Sequence, residues 1–347
     1  TNAGMFTTGD IGGTTINGQF TQNGQGDSTL GANMISTTAG ISFATNVILN
    51  STNAITLYTG KGDGDDFRIG GTLTRTNNES FAVDAGADGD VTFEGAVNLG
   101  TGGLTIIDAA VARFDKRVDL GTFTQNDGTT STTFKGLVAT TSNFGFTGQA
   151  LTFEAAGNTI GGAMTVTNAG AFKTFDAADI TVTNAFQQLG AGHSTLGDDL
   201  VSTTGLVKFT TNVTLDSTDL INIRTGEGTD DDLTIGGTLT SNSNESLTVD
   251  AGELGDIGVT DAVDLGTGKF TITDAAIVNF ANTFTSGSFA QIDGTTSTTF
   301  NNTVNTSGQI DSTVDPVTQE VINANGIEIT GNNVRFKAGV TTTNGGA

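Results

Sequence analysis

Apolar residues in this chain recur at every second position in short bursts and then stop. In Val91-Thr-Phe-Glu-Gly-Ala-Val-Asn-Leu99, the residues Val91, Phe93, Val97 and Leu99 share one face while Thr, Glu and Asn take the other. That period-2 alternation, bounded by Gly, Asn, Asp and Thr, predicts strands of a few residues closed by turns. A coarser beat lies above it. Between successive members of the series Phe20, Phe43, Phe67, Phe93, Phe114, Phe134, Phe153 and Phe172 the numbering advances by 23, 24, 26, 21, 20, 19 and 19. Connections this short leave no room for the covering helices of a doubly wound sheet. They suit a coil of two or three strands per turn, in which each strand stacks on its equivalent in the next turn. Phe93, Phe114, Phe134, Phe280 and Phe300 are therefore expected to point inward. At about 20 residues and about 4.8 Å per turn, about 17 coils would make a rod on the order of 80 Å long.

The chain also repeats itself on a larger scale, which bears on architecture before any local assignment. Residues 1–166 align without a gap on 167–332: Thr-Asn-Ala-Gly at Thr1 returns at Thr167, and Ile-Gly-Gly-Thr-Leu-Thr at Ile69 returns at Ile235. Between Asn78–Phe114 and Asn244–Phe280, 21 of 37 positions are identical, so this is a duplication. The organisation read from it is a first solenoid repeat over 1–166, a second over 167–332, and a terminal strand with a polar tail over 333–347, all in one continuous rod. An array of β-sandwiches is the rival. Against it stand the missing Pro- or Ser-rich linker and a coil-like spacing that crosses Thr167 without interruption.

Composition agrees with an all-β parallel β-helix. Fifty Gly and 22 Phe stand beside one Pro, one Tyr, no Trp and no Cys, so turn formers and strand formers dominate and disulfides are excluded. The formal net charge of -24 repels nucleic acid and anionic membrane. No apolar run reaches the roughly 18 residues that cross a bilayer, so membrane insertion is not expected. Thr1–Phe6 lacks the basic and apolar regions of an export signal. The reading is that such a signal was removed or that the chain is a piece of something longer.

The phrases Val-Thr-Phe-Glu-Gly-Ala-Val at Val91, Thr-Thr-Phe-Lys-Gly-Leu-Val at Thr132 and Thr-Thr-Phe-Asn-Asn-Thr-Val at Thr298 resemble the recurring units of large bacterial surface β-helix proteins. These are the filamentous-haemagglutinin-like and autotransporter-passenger-like adhesins. The resemblance lies in the style of the repeat and extends over most of the chain. It implies a right-handed parallel β-helix displayed outside the cell, without the secretion domain or barrel of those families.

Candidate chemistry is sparse. Hydrolases and lyases on β-helices need acid/base groups with cationic and aromatic partners. Here the only His, His193, aligns with Asp27 of the first copy, and Ser and Thr have no evident base, so no catalysis is expected. The acidic loops are the better candidates. Gly-Asp-Gly-Asp-Asp at Gly62 aligns with Gly-Thr-Asp-Asp-Asp at Gly228. Asp63, Asp65 and Asp66, with Asp230, Asp231 and Asp232, are the expected ligands if calcium binds, since carboxylates interleaved with Gly can wrap a hard cation. Neither loop matches a known calcium signature, and Asp-Gly clusters are also ordinary turn chemistry. A second acidic set pairs Asp84 and Asp90 with Asp250 and Asp256. Thr72-Leu-Thr74 and Thr181-Val-Thr183 read as solvent-facing strand residues, and Asn50-Ser-Thr and Asn78-Glu-Ser as sequons.

The function expected from sequence is that of an extracellular or cell-surface structural rod, part of an adhesin or filament. It would make homotypic end-to-end contacts or adjoin further coils of a longer chain, with a host or glycan receptor as a further partner. The alternative is a calcium- or carbohydrate-binding surface module.

Overall fold

The computed structural model describes residues 3–10, 12–307, 327–329 and 333–342. Every regular element among them is a strand, mostly a short one, and the strands pair in parallel. The chain forms two compact units, Thr1–Phe172 and Lys173–Ala347.

In the first unit, strands fall in rotation onto three sheets, so each strand pairs with the third one after it. One sheet runs from Phe6–Thr7 through Ser28–Leu30, Val47–Leu49 and Leu73–Arg75 to Asn158–Ile160; the second starts at Thr14–Ile16 and the third at Phe20–Gln22. Partners within a sheet are one turn apart along the chain, as Ser28 is with Val47 and Val47 with Leu73. This is a parallel β-solenoid with three strands per turn. The second unit repeats the pattern, with one sheet from Ile180–Val182 to Ile327–Ile329 and the others from Phe186–Gln188 and Ser194–Leu196. The described strands number forty-five, three to a turn. The expected terminal strand is present as Val334–Phe336, and a further strand follows at Val340–Thr342. The expected polar tail beyond Thr342 lies outside the described residues.

Alternation decides what each strand buries. In Val91–Phe93 the outer two residues are buried and Thr92 is not, and the same in-out-in pattern recurs in Phe67–Ile69, Val213–Leu215 and Leu233–Ile235. Phe93, Phe114, Phe134, Phe280 and Phe300 are all at most 1% exposed, as their spacing predicts. Parallel in-register stacking places like on like. Phe93 pairs with Phe114, Phe114 with Phe134 and Phe134 with Phe153. Their rings stack at centroid distances of 5.0, 4.5 and 5.3 Å, tilted by no more than 16°. In the second unit, Phe280, Phe300 and Phe336 stack at 5.1 and 5.2 Å. Phe123 and Phe144 form a parallel column on a neighbouring face, with rings 4.6 Å apart.

The corners are as tightly specified as the strands. A Cβ on Gly136 would lie 2.2 Å from the carbonyl carbon of Lys116 in the turn before it, so only glycine lets these two backbones approach. Two inward glutamines are satisfied in place. Gln22 donates Nε2 to the carbonyls of Gly24 and Gly26, and its Oε1 accepts from the amide of Ala44; Gln188 repeats this with Gly190, Gly192 and Thr210.

The duplication does not match a whole number of turns. Thr14–Ile16 is the second strand of the chain, and its counterpart in the second copy, Ile180–Val182, is the twenty-fifth. The repeat therefore holds twenty-three strands, which three does not divide.

Candidate functional site

The six acidic residues singled out from sequence sit in two corresponding corners, one between Ile55–Tyr58 and Phe67–Ile69, the other between Ile221–Arg224 and Leu233–Ile235. Each is closed by a turn in which the Asp65 amide reaches the Gly62 carbonyl and the Asp231 amide reaches that of Gly228. The turns differ at one position. Gly64 has a φ of 85°, whereas Asp230 stands in its place without a positive φ.

The carboxylates are engaged with backbone. Asp65 Oδ2 accepts the Gly62 amide at 2.9 Å, and Asp231 Oδ2 accepts that of Gly228 at 2.8 Å. Asp66 Oδ1 accepts the amide of Asp90 one turn later, and Asp90 Oδ1 accepts that of Val111 in the turn after that. Asp232, Asp256 and Ile277 repeat the chain at 2.8 and 3.1 Å. These aspartates thus cap the strand starts of successive turns. Burial, followed by the charges of Asp66 and Asp63, pushes the Asp90 carboxyl upward against the pull of the Val111 amide; burial and Asp232 do the same at Asp256. Asp63 and Asp230 are exposed at the tips. Among the described residues, no three His, Cys, Asp or Glu side chains converge as a metal would require, so the expected calcium ligands are not gathered into one set.

The corners have a further use that the sequence reading missed. Asp10 accepts hydrogen bonds from Ser51 Oγ at 2.7 Å and from the Thr52 amide at 3.2 Å, and so joins corners two turns apart across a short one. Asp176 does the same with Ser217 and Thr218. Ser51 Oγ first, then the Thr52 amide, hold Asp10 below the usual carboxylate range; Thr218 does so for Asp176. Thr129 Oγ1 and Thr295 Oγ1 reach the carbonyls of Ala87 and Glu253 over the same interval. The signal was present in the duplication, because Asp10, Ser51, Thr52 and Thr129 all recur unchanged in the second copy.

The remaining surface offers little chemistry. His193 is exposed in the corner before Ser194–Leu196. On the outer column Thr124, Gly145, Thr165, the missing side chain at Gly145 opens a shallow notch of about 320 Å³ with Asn143 at its edge. Its walls carry no titratable group, so it could take a small neutral moiety but could not move a proton. Asn50, Asn78 and Asn244 are exposed. No helix among the described residues is long and apolar enough to cross a membrane.

Comparison of the chain with protein-family models, with characterised proteins and with solved structures finds no match.

Proposed function

We propose that this chain is a structural segment of a cell-surface or extracellular protein, and that its role is mechanical. The observation that supports the reading is the stack of in-register phenylalanines, closed on every side by parallel backbone pairing. In such a stack each turn is held by the turns before and after it, and extension must break ladders of hydrogen bonds together. The corner aspartates serve this role by capping strand starts, and the acidic, threonine-rich exterior keeps a large β-surface dispersed. In this reading the backbone of one turn templates the next, so further coils of the same or another copy would add by the same pairing. No catalytic step is proposed.

Two measurements test it. Single-molecule extension should give unfolding in successive steps at high force, and fractionation of the producing cells with an antibody to the chain should find it at the surface or in the medium. Extension at low force, or confinement to the cell interior, would overturn the proposal.

A further inference from the structure

Three carboxylates follow one another along the corners of the first unit, and the middle one differs from its neighbours. Asp84 pairs in register with Asp108, and Asp127 lies in the turn after. Asp84 Oδ1 accepts the Gly86 amide at 3.0 Å and Asp127 Oδ1 that of Gly128 at 2.8 Å. Asp108 Oδ1 is buried and has no hydrogen-bond partner among the described residues. The second unit repeats the arrangement with different surroundings. Asp250 accepts from Gly252 and Asp293 from Gly294, while the buried Oδ1 of Asp274 has no partner among the described residues. A buried carboxylate oxygen without a donor, next to other carboxylates, is costly when charged and is relieved by a proton.

We propose that Asp108 and Asp274 are proton-holding corners: each takes up a proton as the medium turns acidic and keeps it, which removes the charge on its buried, unpartnered oxygen, so that mild acid tightens the solenoid there. The charged groups around each support this. Asp108 faces Asp127, Asp84 and the cation Lys61; burial and the two aspartates raise its affinity for a proton, and the Ala109 amide and Lys61 oppose them. Asp274 faces Asp293, Glu253 and Asp250, which with burial act in the same direction against the Ala275 amide. The cation Arg224 on that side is paired with one of these neighbours, its Nε lying 3.5 Å from Asp250, and so offsets part of that carboxylate's effect. Because the folded-state affinity for the proton is raised, the stabilisation is complete below the ordinary aspartate value and is lost as pH rises through the raised folded value.

The test compares the full chain with its Asp108→Asn, Asp274→Asn double variant, in which an uncharged amide replaces each carboxylate. At pH 7.5 the variant should melt higher, by on the order of 2 °C or more, and the difference should shrink toward zero as pH falls toward 4. A difference that is absent, negative or independent of pH overturns the proposal. If the variant fails to fold, the unmodified protein decides the matter by carboxyl carbon NMR. Titration midpoints for Asp108 and Asp274 above the ordinary value of about 3.9 support the proposal, and midpoints at or below it refute it.

Discussion

Removing one ring from the middle of the phenylalanine stack is the sharpest probe of how this solenoid holds together. Phe114 is 0% exposed, with Phe93 stacked 5.0 Å away on one side, Phe134 4.5 Å away on the other, and Phe123 edge-on at 6.0 Å. Phe114→Ala loses the transfer free energy of a buried ring and leaves a cavity, together about 3–5 kcal/mol. The upper end applies, because the walls cannot collapse. The Asp115 amide is bonded to the Phe93 carbonyl and the Lys135 amide to that of Phe114, both at 2.9 Å, so the turn spacing is fixed on both sides. Two stacked contacts also vanish, each worth about 0.5–1.5 kcal/mol beyond burial. In a nearest-neighbour stack the loss is local. Hydrogen exchange of the Asp115 and Lys135 amides should accelerate far more than that of the amides around Phe209, and the urea midpoint should fall. Phe175→Ala is the control. That ring is 41% exposed, with Lys173 Nζ 4.8 Å from its centroid, and its loss should cost about 1 kcal/mol or less. If Phe114→Ala proves no more costly than Phe175→Ala, the stack is not what stabilises the fold.

Gly136→Ala should destabilise by about 1–3 kcal/mol in thermal melts, because its Cβ would drive into the Lys116–Arg117 backbone at 2.2 and 2.5 Å. Glu79 is 4% exposed and accepts the amides of Ser51 at 3.0 Å and Asn77 at 2.8 Å. Burial opposes its charge, but the amides of Ser51, Glu79 and Asn77 together outweigh burial and hold the carboxyl below its usual value. A depressed folded value gives stability above the ordinary glutamate range that is lost as pH falls through the folded value. Glu79→Gln should therefore cost about 1–3 kcal/mol at pH 7, and the gap should close in melts below about pH 4. Asp10→Asn should speed exchange of the Thr52 amide and leave distant turns unchanged, while equal acceleration everywhere would contradict a local clamp. With Asp65 and Asp231 occupied by their own loop amides, millimolar calcium should leave the melting temperature unmoved; a rise with calcium concentration would show a folded-state cation site at these corners.

Much of the fold is local and was legible in the residues themselves. Period-2 alternation fixes which side of each strand is apolar, and the recurring phenylalanines mark successive turns of one sheet. From Phe20 to Phe153 each marker lies on a strand of the same sheet. What stacks on what was not legible, because register depends on corner lengths that vary from turn to turn. Phe93 meets Phe114 directly, but Phe67 pairs with Val91, and Phe93 with Ile69. Whether a turn holds two strands or three, and hence that the duplicated segment is not a whole number of turns, follows from long-range pairing that no local pattern encodes. The same holds for the acidic residues. Sequence placed them in turns and suggested a cation. Only the stacked corners decided that Asp66 caps Asp90, that Asp10 bridges to Ser51 two turns on, and that Asp108 alone of its stack keeps one buried carboxylate oxygen without a partner among the described residues. A carboxylate's surroundings in a solenoid come from the turns before and after it, which are its neighbours in space but not along the chain.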